Sequence, residues 1–153
     1  MKITEIITKE FIIDELRAAT KEDALAALAS VLLRENVMND LDEIVKILME
    51  REKLGSTGIG DGIAIPHGKI PGLDDLLISF GRSKAGIAFD ALDGKPVHLF
   101  FLLMAPEHAS GQHLKALAKI SRMLKDEAFR TRLMAAKSRD DLFALIAEKD
   151  ELN

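Results

Sequence analysis

The sequence predicts a single α/β domain over residues 1–153, with a mixed parallel and antiparallel sheet flanked by helices on both faces. Three observations lead there. Amphipathic helical patterns stand at both ends of the chain, over 21–35, 41–53 and again from residue 110 onward. Between them, residues 97–104 are almost continuously apolar, as in a central strand covered on both faces. No long linker, repeat or low-complexity segment divides the 153 residues, a length at which one domain buries about 70% of its unfolded surface.

Along the chain, residues 1–19 read two ways in part: Ile3, Ile6 and Ile7 fit one helical turn, and Phe11-Ile12-Ile13 fits a short strand. Thr20-Lys21-Glu22-Asp23 resembles a capping box. It opens a helix over 21–35 in which Ala24, Leu25, Leu28, Ala29, Leu32 and Leu33 recur at three- and four-residue spacing. Asn39 or Asp40 caps a second helix over 41–53, with Leu41, Ile44, Val45 and Leu48 inward. Ile63-Ala64-Ile65 is a short buried strand, residues 68–74 a loop, 76–82 a strand and 87–89 a short strand or edge piece. Asp93-Gly94 marks a turn before the apolar strand at 97–104 and suggests a hairpin, hence an antiparallel pair. A third helix over 110–125 carries Leu114, Leu117, Ala118, Ser121 and Leu124 on one stripe. A fourth spans 126–136 around Phe129, Leu133 and Met134. Ser138-Arg139-Asp140-Asp141 starts the last, with Leu142, Phe143, Leu145 and Ile146.

Composition narrows the functions. Net charge is −4 with both signs intermixed, without the basic stripe of a nucleic-acid binder. The first eight residues mix Lys2 and Glu5 into isoleucines, unlike a signal peptide. The longest apolar run, 99–105, is too short to cross a bilayer. With no cysteine there is no disulfide framework and no thiol chemistry, which fits a cytoplasmic protein, and the short apolar runs fit one that makes no direct membrane insertion. Tryptophan and tyrosine are absent too, so His67, His98, His108 and His113 are the main reactive candidates.

The informative stretch is Gly55-Ser56-Thr57-Gly58-Ile59-Gly60-Asp61-Gly62-Ile63-Ala64-Ile65-Pro66-His67-Gly68, which holds half of the ten glycines. It matches neither a Walker-type loop nor a dinucleotide-binding fingerprint in its context. Consecutive N–H groups in such a segment can form an anion-binding concavity, and Pro66 restricts the conformation of Ile65 and itself, presenting His67 at a defined angle. Neutral imidazole is nucleophilic near pH 7 once one ring nitrogen is tied by a hydrogen bond. Backbone carbonyls in the 67–70 loop are candidates for that tie. His67 is therefore a candidate nucleophile for an anionic group, phosphoryl first. Arg51, in the last turn of the second helix, serves either as a planar phosphate donor or as a complement to the helix dipole. His113, near the start of the helix after the central strand, either shares the site or faces elsewhere. His98 reads as a buried, hydrogen-bonded histidine. His108 and His113 lie five apart, outside the spacing of a helical metal pair. Asp61, the only carboxylate near His67, reads as a turn residue before it reads as the general acid of a hydrolase.

These residues carry a family resemblance. Gly60-Asp61-Gly62-Ile63-Ala64-Ile65-Pro66-His67-Gly68 resembles the phosphorylation motif of enzyme IIA of the fructose/mannitol class of the bacterial phosphotransferase system. Arg51 and His113 fall where that family keeps an active-site arginine and a second histidine. The likeness covers nearly the whole chain, and in layout it is most similar to the nitrogen-regulatory type. It implies a phosphotransferase in which His67 accepts phosphoryl through Nε2 from an HPr-type phosphocarrier protein, with Arg51 and His113 on the phosphoryl group. Neighbouring N–H groups of a phosphate-binding loop, with Gly60, Gly62 and Gly68, would assist. It also implies no metal and no organic cofactor. Downstream, it implies regulatory target proteins or, alternatively, a separate enzyme IIB for fructose, mannitol or a related sugar. These 153 residues hold no permease and, lacking cysteine, no cysteine-type enzyme IIB.

Overall fold

The computed structural model describes residues 1–33 and 40–153. The last two positions expected of the first helix, 34 and 35, and the alternative cap Asn39 lie outside them. Among the described residues, one sheet of six strands carries five α-helices. The strands are β1 (Ile12–Ile13), β2 (Gly58–Gly60), β3 (Ile63–Ala64), β4 (His67–Lys69), β5 (Leu77–Ile87) and β6 (Val97–Ala105). The helices are α1 (Lys21–Leu33), α2 (Leu41–Lys53), α3 (Ser110–Lys125), α4 (Glu127–Ala135) and α5 (Arg139–Leu152). Residues 3–5 and 9–11 form short 3₁₀ turns.

The sheet runs β1-β5-β6-β3-β2, with β4 also on β6. β6 is the central strand, buried at every position but His98. It pairs antiparallel with β5 and parallel with β3 and β4, so the expected mixed sheet and antiparallel hairpin are both present. The sheet is covered on both faces, and β5 shows it residue by residue. Ser79 donates to the Leu28 carbonyl of α1, while Arg82, on the alternate face, donates to the Leu133 and Ala136 carbonyls at the end of α4. Interlocking aromatic pairs, Phe80–Phe101 and Phe89–Phe100, fill the core with ring centroids 4.9 and 5.4 Å apart.

The caps follow the sequence. Thr20 accepts from the Asp23 N–H, Asp40 from that of Glu43, and Ser138 from that of Asp141. Four expectations need correction. The strand expected at 76–82 runs on to Ile87 as β5, with a register shift between Arg82 and Ile87, and of the short strand expected at 87–89 only Ile87 belongs to it. The glycine-rich segment contains a strand, β2, that glycine content concealed. The segment after His67 begins as strand β4, because its neighbour β6 supplies the ladder that three residues cannot specify alone. The buried stripe of α3 is His113, Ala116, Lys119, Ile120, Met123 and Leu124, with Leu114 and Ala118 outside. Apolarity misplaced that stripe because a lysine lies on its buried side. Lys119 is only 5% exposed, yet its Nζ meets Asp150 Oδ1 of α5 at 2.6 Å.

Candidate active site

The rotation of α3 turns His113 toward the sheet, and there it meets His67. The two rings stand edge to face with centroids 5.3 Å apart and planes at 72°. His67 is the first residue of β4 and pairs with Leu103, close to the end of β6, where the chain leaves for α3. That is the end of the central strand, bordered by one parallel and one antiparallel neighbour, where open α/β sheets place ligands.

α2 delivers the third side chain. Ile44, Leu48 and Glu52 form its buried row, with Arg51 one turn after Leu48 and beside Glu52 on the same side. α2 packs on β4, and the fit is close. A Cβ built on Gly68 would stand 3.2 Å from Leu48 Cδ2 and 3.4 Å from Ile47 Cγ2. Gly68 thus admits the helix that brings Arg51 to the ring. Arg51 Nε donates to His67 Nε2 at 3.3 Å, and its Nη1 donates to the Gly55 carbonyl at 2.9 Å.

The other ring nitrogen, Nδ1 of His67, is 2.9 Å from the carbonyl oxygen of Ile65. A carbonyl only accepts, so Nδ1 carries the proton and Nε2 carries the lone pair. The tie comes from two residues before the histidine and not from the 67–70 segment, whose backbone belongs to the β4–β6 ladder. Burial holds His67 below the ordinary histidine value of 6.5; the Ile65 carbonyl raises it, the Arg51 cation lowers it further, and Glu52 opposes. His113 also lies below 6.5, first through burial, then through His67 and Lys69. Its Nε2 is buried and, among the described residues, makes no hydrogen bond. Two neutral imidazoles and one guanidinium therefore converge, with polar capacity unspent at His113.

The structure brings Arg51, His67 and His113 together with Gly68, which follows His67 in β4, but not with Gly60 and Gly62. Gly60 and Gly62 flank the β2–β3 turn, against Asp93 and His98 respectively. The Gly62 carbonyl accepts from the N–H groups of His98 and Leu99, whereas His67 pairs with Leu103. Four to five residues of β6 separate those rows, about 13–17 Å. Asp61, at a left-handed φ of 58°, is a turn residue there. His98 is half-buried, its Nδ1 on the Ser83 carbonyl, and His108 is exposed. Glu52 and the Ile65 carbonyl were not singled out by sequence. Glu52 had left a trace, as a carboxylate in the last turn of a helix, where the dipole disfavours it and a partner is required.

Residues 5–149 match the family described as phosphoenolpyruvate-dependent sugar phosphotransferase system, EIIA 2. The chain belongs to that family. Enzyme IIA proteins are phosphotransferases that pass a phosphoryl group through a histidine. Among relatives, this enzyme IIA chain is 40% identical to a nitrogen regulatory protein of Bradyrhizobium diazoefficiens, covering 96% of this chain and 95% of that one. It is 39% identical to the fructose-specific EIIABC component of Bacillus subtilis over 99% of this chain, but spans only 24% of that protein. Its fold superposes on the crystal structure of nitrogen regulatory protein IIA-Ntr from Neisseria meningitidis with a TM-score of 0.88 and 35% identity. That match covers 94% of this chain and 98% of the other. Among the described residues no helix is long and apolar enough to cross a membrane.

Proposed function

We propose that His67 is the phosphoryl acceptor of this enzyme IIA, taking the group on Nε2 from the phosphohistidine of an HPr-type carrier protein in the cytoplasm. The observation that carries this reading is the bond from Nδ1 to the Ile65 carbonyl, which leaves Nε2 as the lone-pair nitrogen facing Arg51 and His113. In the transfer, the Nε2 lone pair attacks phosphorus as the donor's N–P bond breaks. The electron pair of that bond returns to the donor ring nitrogen, and His67 keeps its Nδ1 proton. The transferring group spreads charge over three equatorial oxygens, so catalysis rests on positioning and electrostatic stabilisation. Arg51 moves its Nε–H from the lone pair to a phosphoryl oxygen while Nη1 stays on the Gly55 carbonyl. His113, whose buried Nε2 makes no hydrogen bond among the described residues, donates from that nitrogen to the phosphoryl group.

The role downstream is regulatory in this reading: the phosphorylation state is presented to target proteins, in keeping with a nitrogen-regulatory likeness that runs the length of both chains. A phosphoryl group adds nearly two negative charges, enough to switch a contact surface. A specific observation favours a second reading, transfer to a separate enzyme IIB of a sugar system: the likeness to a fructose-specific component is almost as high.

Incubation with phosphorylated HPr-type carrier is expected to give an acid-labile, base-stable adduct, lost in His67→Ala. An adduct that persists in His67→Ala overturns the assignment. Pull-downs then separate the two roles. Targets that distinguish wild type from His67→Asp support the regulatory one, and phosphoryl passage to an added enzyme IIB supports the sugar one.

A further inference from the structure

Of the two hydrogen bonds that define the His67 ring, one traces back to a buried carboxylate and the other to the helix end that carries it. Glu52 is 7% exposed and has three donors. Its Oε1 accepts from Lys21 Nζ of α1 at 3.0 Å and from the Thr57 N–H at 3.1 Å, and its Oε2 accepts from the Thr57 hydroxyl. Thr57 is itself buried, and its carbonyl accepts from the Ile65 N–H at 3.1 Å. The Ile65 carbonyl then receives the Nδ1 proton of His67. On the other side, the Glu52 backbone carbonyl accepts from the Gly55 N–H at 3.1 Å, its carboxylate ties Thr57 back to the same helix end, and the Gly55 carbonyl between them accepts from Arg51 Nη1. One end of this network holds the tied nitrogen and the other holds the cation on the free nitrogen.

We infer that Glu52, acting through Thr57, is a positioning residue for phosphoryl transfer: it holds the 55–65 segment and the end of α2 in the register that keeps His67 in its Nδ1–H tautomer, with Arg51 on Nε2. Lys21 completes the clamp. Its Nζ lies over the Phe89 ring, 4.7 Å from the centroid, and its charge compensates the buried carboxylate. Glu52 touches no reacting atom. Its effect passes through Thr57 O, Ile65 and the Gly55 carbonyl. A clamp of this kind acts on reaction geometry, where a shift on the order of 1 Å costs up to a hundredfold in rate.

The inference rests on the reading of His67 as acceptor, and two readouts separate them. The first is the imidazole ¹⁵N spectrum of His67, which reports the tautomer without any phosphoryl donor. The second is the maximal phosphorylation rate with phosphoramidate, a small donor that needs no docking surface. Wild type is expected to show the Nδ1–H pattern. Thr57→Val and Glu52→Gln should shift it toward a mixture of tautomers and lower the maximal rate at least tenfold, with little change in half-saturating phosphoramidate. Thr57→Ser, which restores the hydroxyl, should recover both. Asp150→Asn, equally buried but remote, should lower thermal stability while leaving tautomer and rate at wild-type values. If Thr57→Val and Glu52→Gln, assayed well below their unfolding temperatures, keep the wild-type tautomer and rate, Glu52 has no positioning role. A rate lost with the tautomer pattern unchanged also overturns it. Failure of wild-type His67 to take up phosphoryl would instead overturn the acceptor assignment, leaving the tautomer comparison intact.

Discussion

Arg51 Nε donates to Nε2 of His67 at 3.3 Å, joining residues sixteen positions apart in sequence. The contact places a permanent cation on the lone pair that the proposed reaction uses. At rest it holds the ring; in the proposed transfer the same Nε–H meets a phosphoryl oxygen.

Replacing Arg51 by alanine is therefore expected to slow phosphoryl uptake from the carrier by about a hundredfold or more, the usual cost of removing one preorganised donor to a developing anion. The side chain is only half-buried, so the unfolding midpoint should hardly move. Quench-flow with labelled donor measures the rate, and circular dichroism checks the fold. Unchanged kinetics would remove Arg51 from the site.

The pH profile follows from the lowered histidines. Burial, together with Arg51, favours neutral His67, so the nucleophile persists as pH falls below the ordinary value of 6.5. Uptake should fail on the acid side with a midpoint under 6.5, and the His67 Cε1–H NMR titration should give the same midpoint. The linkage has a definite sign. The unfolded chain takes up protons first, so the stability contributed by neutral His67 and His113 is present above the unfolded value and is lost as pH falls through the folded one.

Gly68→Val tests what that glycine is for. Its backbone needs no left-handed conformation, and the added side chain would press on Leu48 and Ile47. A cost of about 1–3 kcal/mol is expected in denaturant unfolding. Slower transfer should accompany it as α2 and Arg51 are displaced. Full stability would argue against helix approach as the reason for glycine at this position.

Asp150→Ala should be the most damaging change away from the site. Asp150 is 1% exposed and accepts from the Ile3 and Thr4 N–H groups, the Thr4 hydroxyl and Lys119. Burial raises its pKa, but these donors outweigh it and hold the carboxyl below its ordinary value. The resulting stability is present above the unfolded carboxylate value and is lost as pH falls through the folded one. Removing the carboxylate strands buried Lys119 and should cost about 3–5 kcal/mol by chemical denaturation, with His67 still able to accept phosphoryl.

Local chemistry, readable along the chain, determined most of the elements and pointed to the proposed reactive group. Thr20, Asp40 and Ser138 mark helix starts because their side chains satisfy N–H groups three residues away, an interaction that needs no tertiary partner. The apolar run at 97–104 announces a central strand because both its faces must be covered. Ile65-Pro66-His67, in a chain without cysteine, tyrosine or tryptophan, singles out the histidine.

Only the tertiary structure decided which groups serve that histidine. β4 exists because β6 supplies its ladder. His113 lies on the buried stripe of α3, which the leucine pattern does not mark, and the lysine on that stripe, Lys119, is compensated by Asp150, thirty-one positions beyond it. Gly60 and Gly62 share a motif with His67, yet strand register carries them several residues along β6 from it. The bond to the Ile65 carbonyl and the Glu52 clamp depend on how a turn closes against a helix end. Sequence proximity reports neither register nor helix rotation, because both are fixed by contacts between segments far apart in the chain.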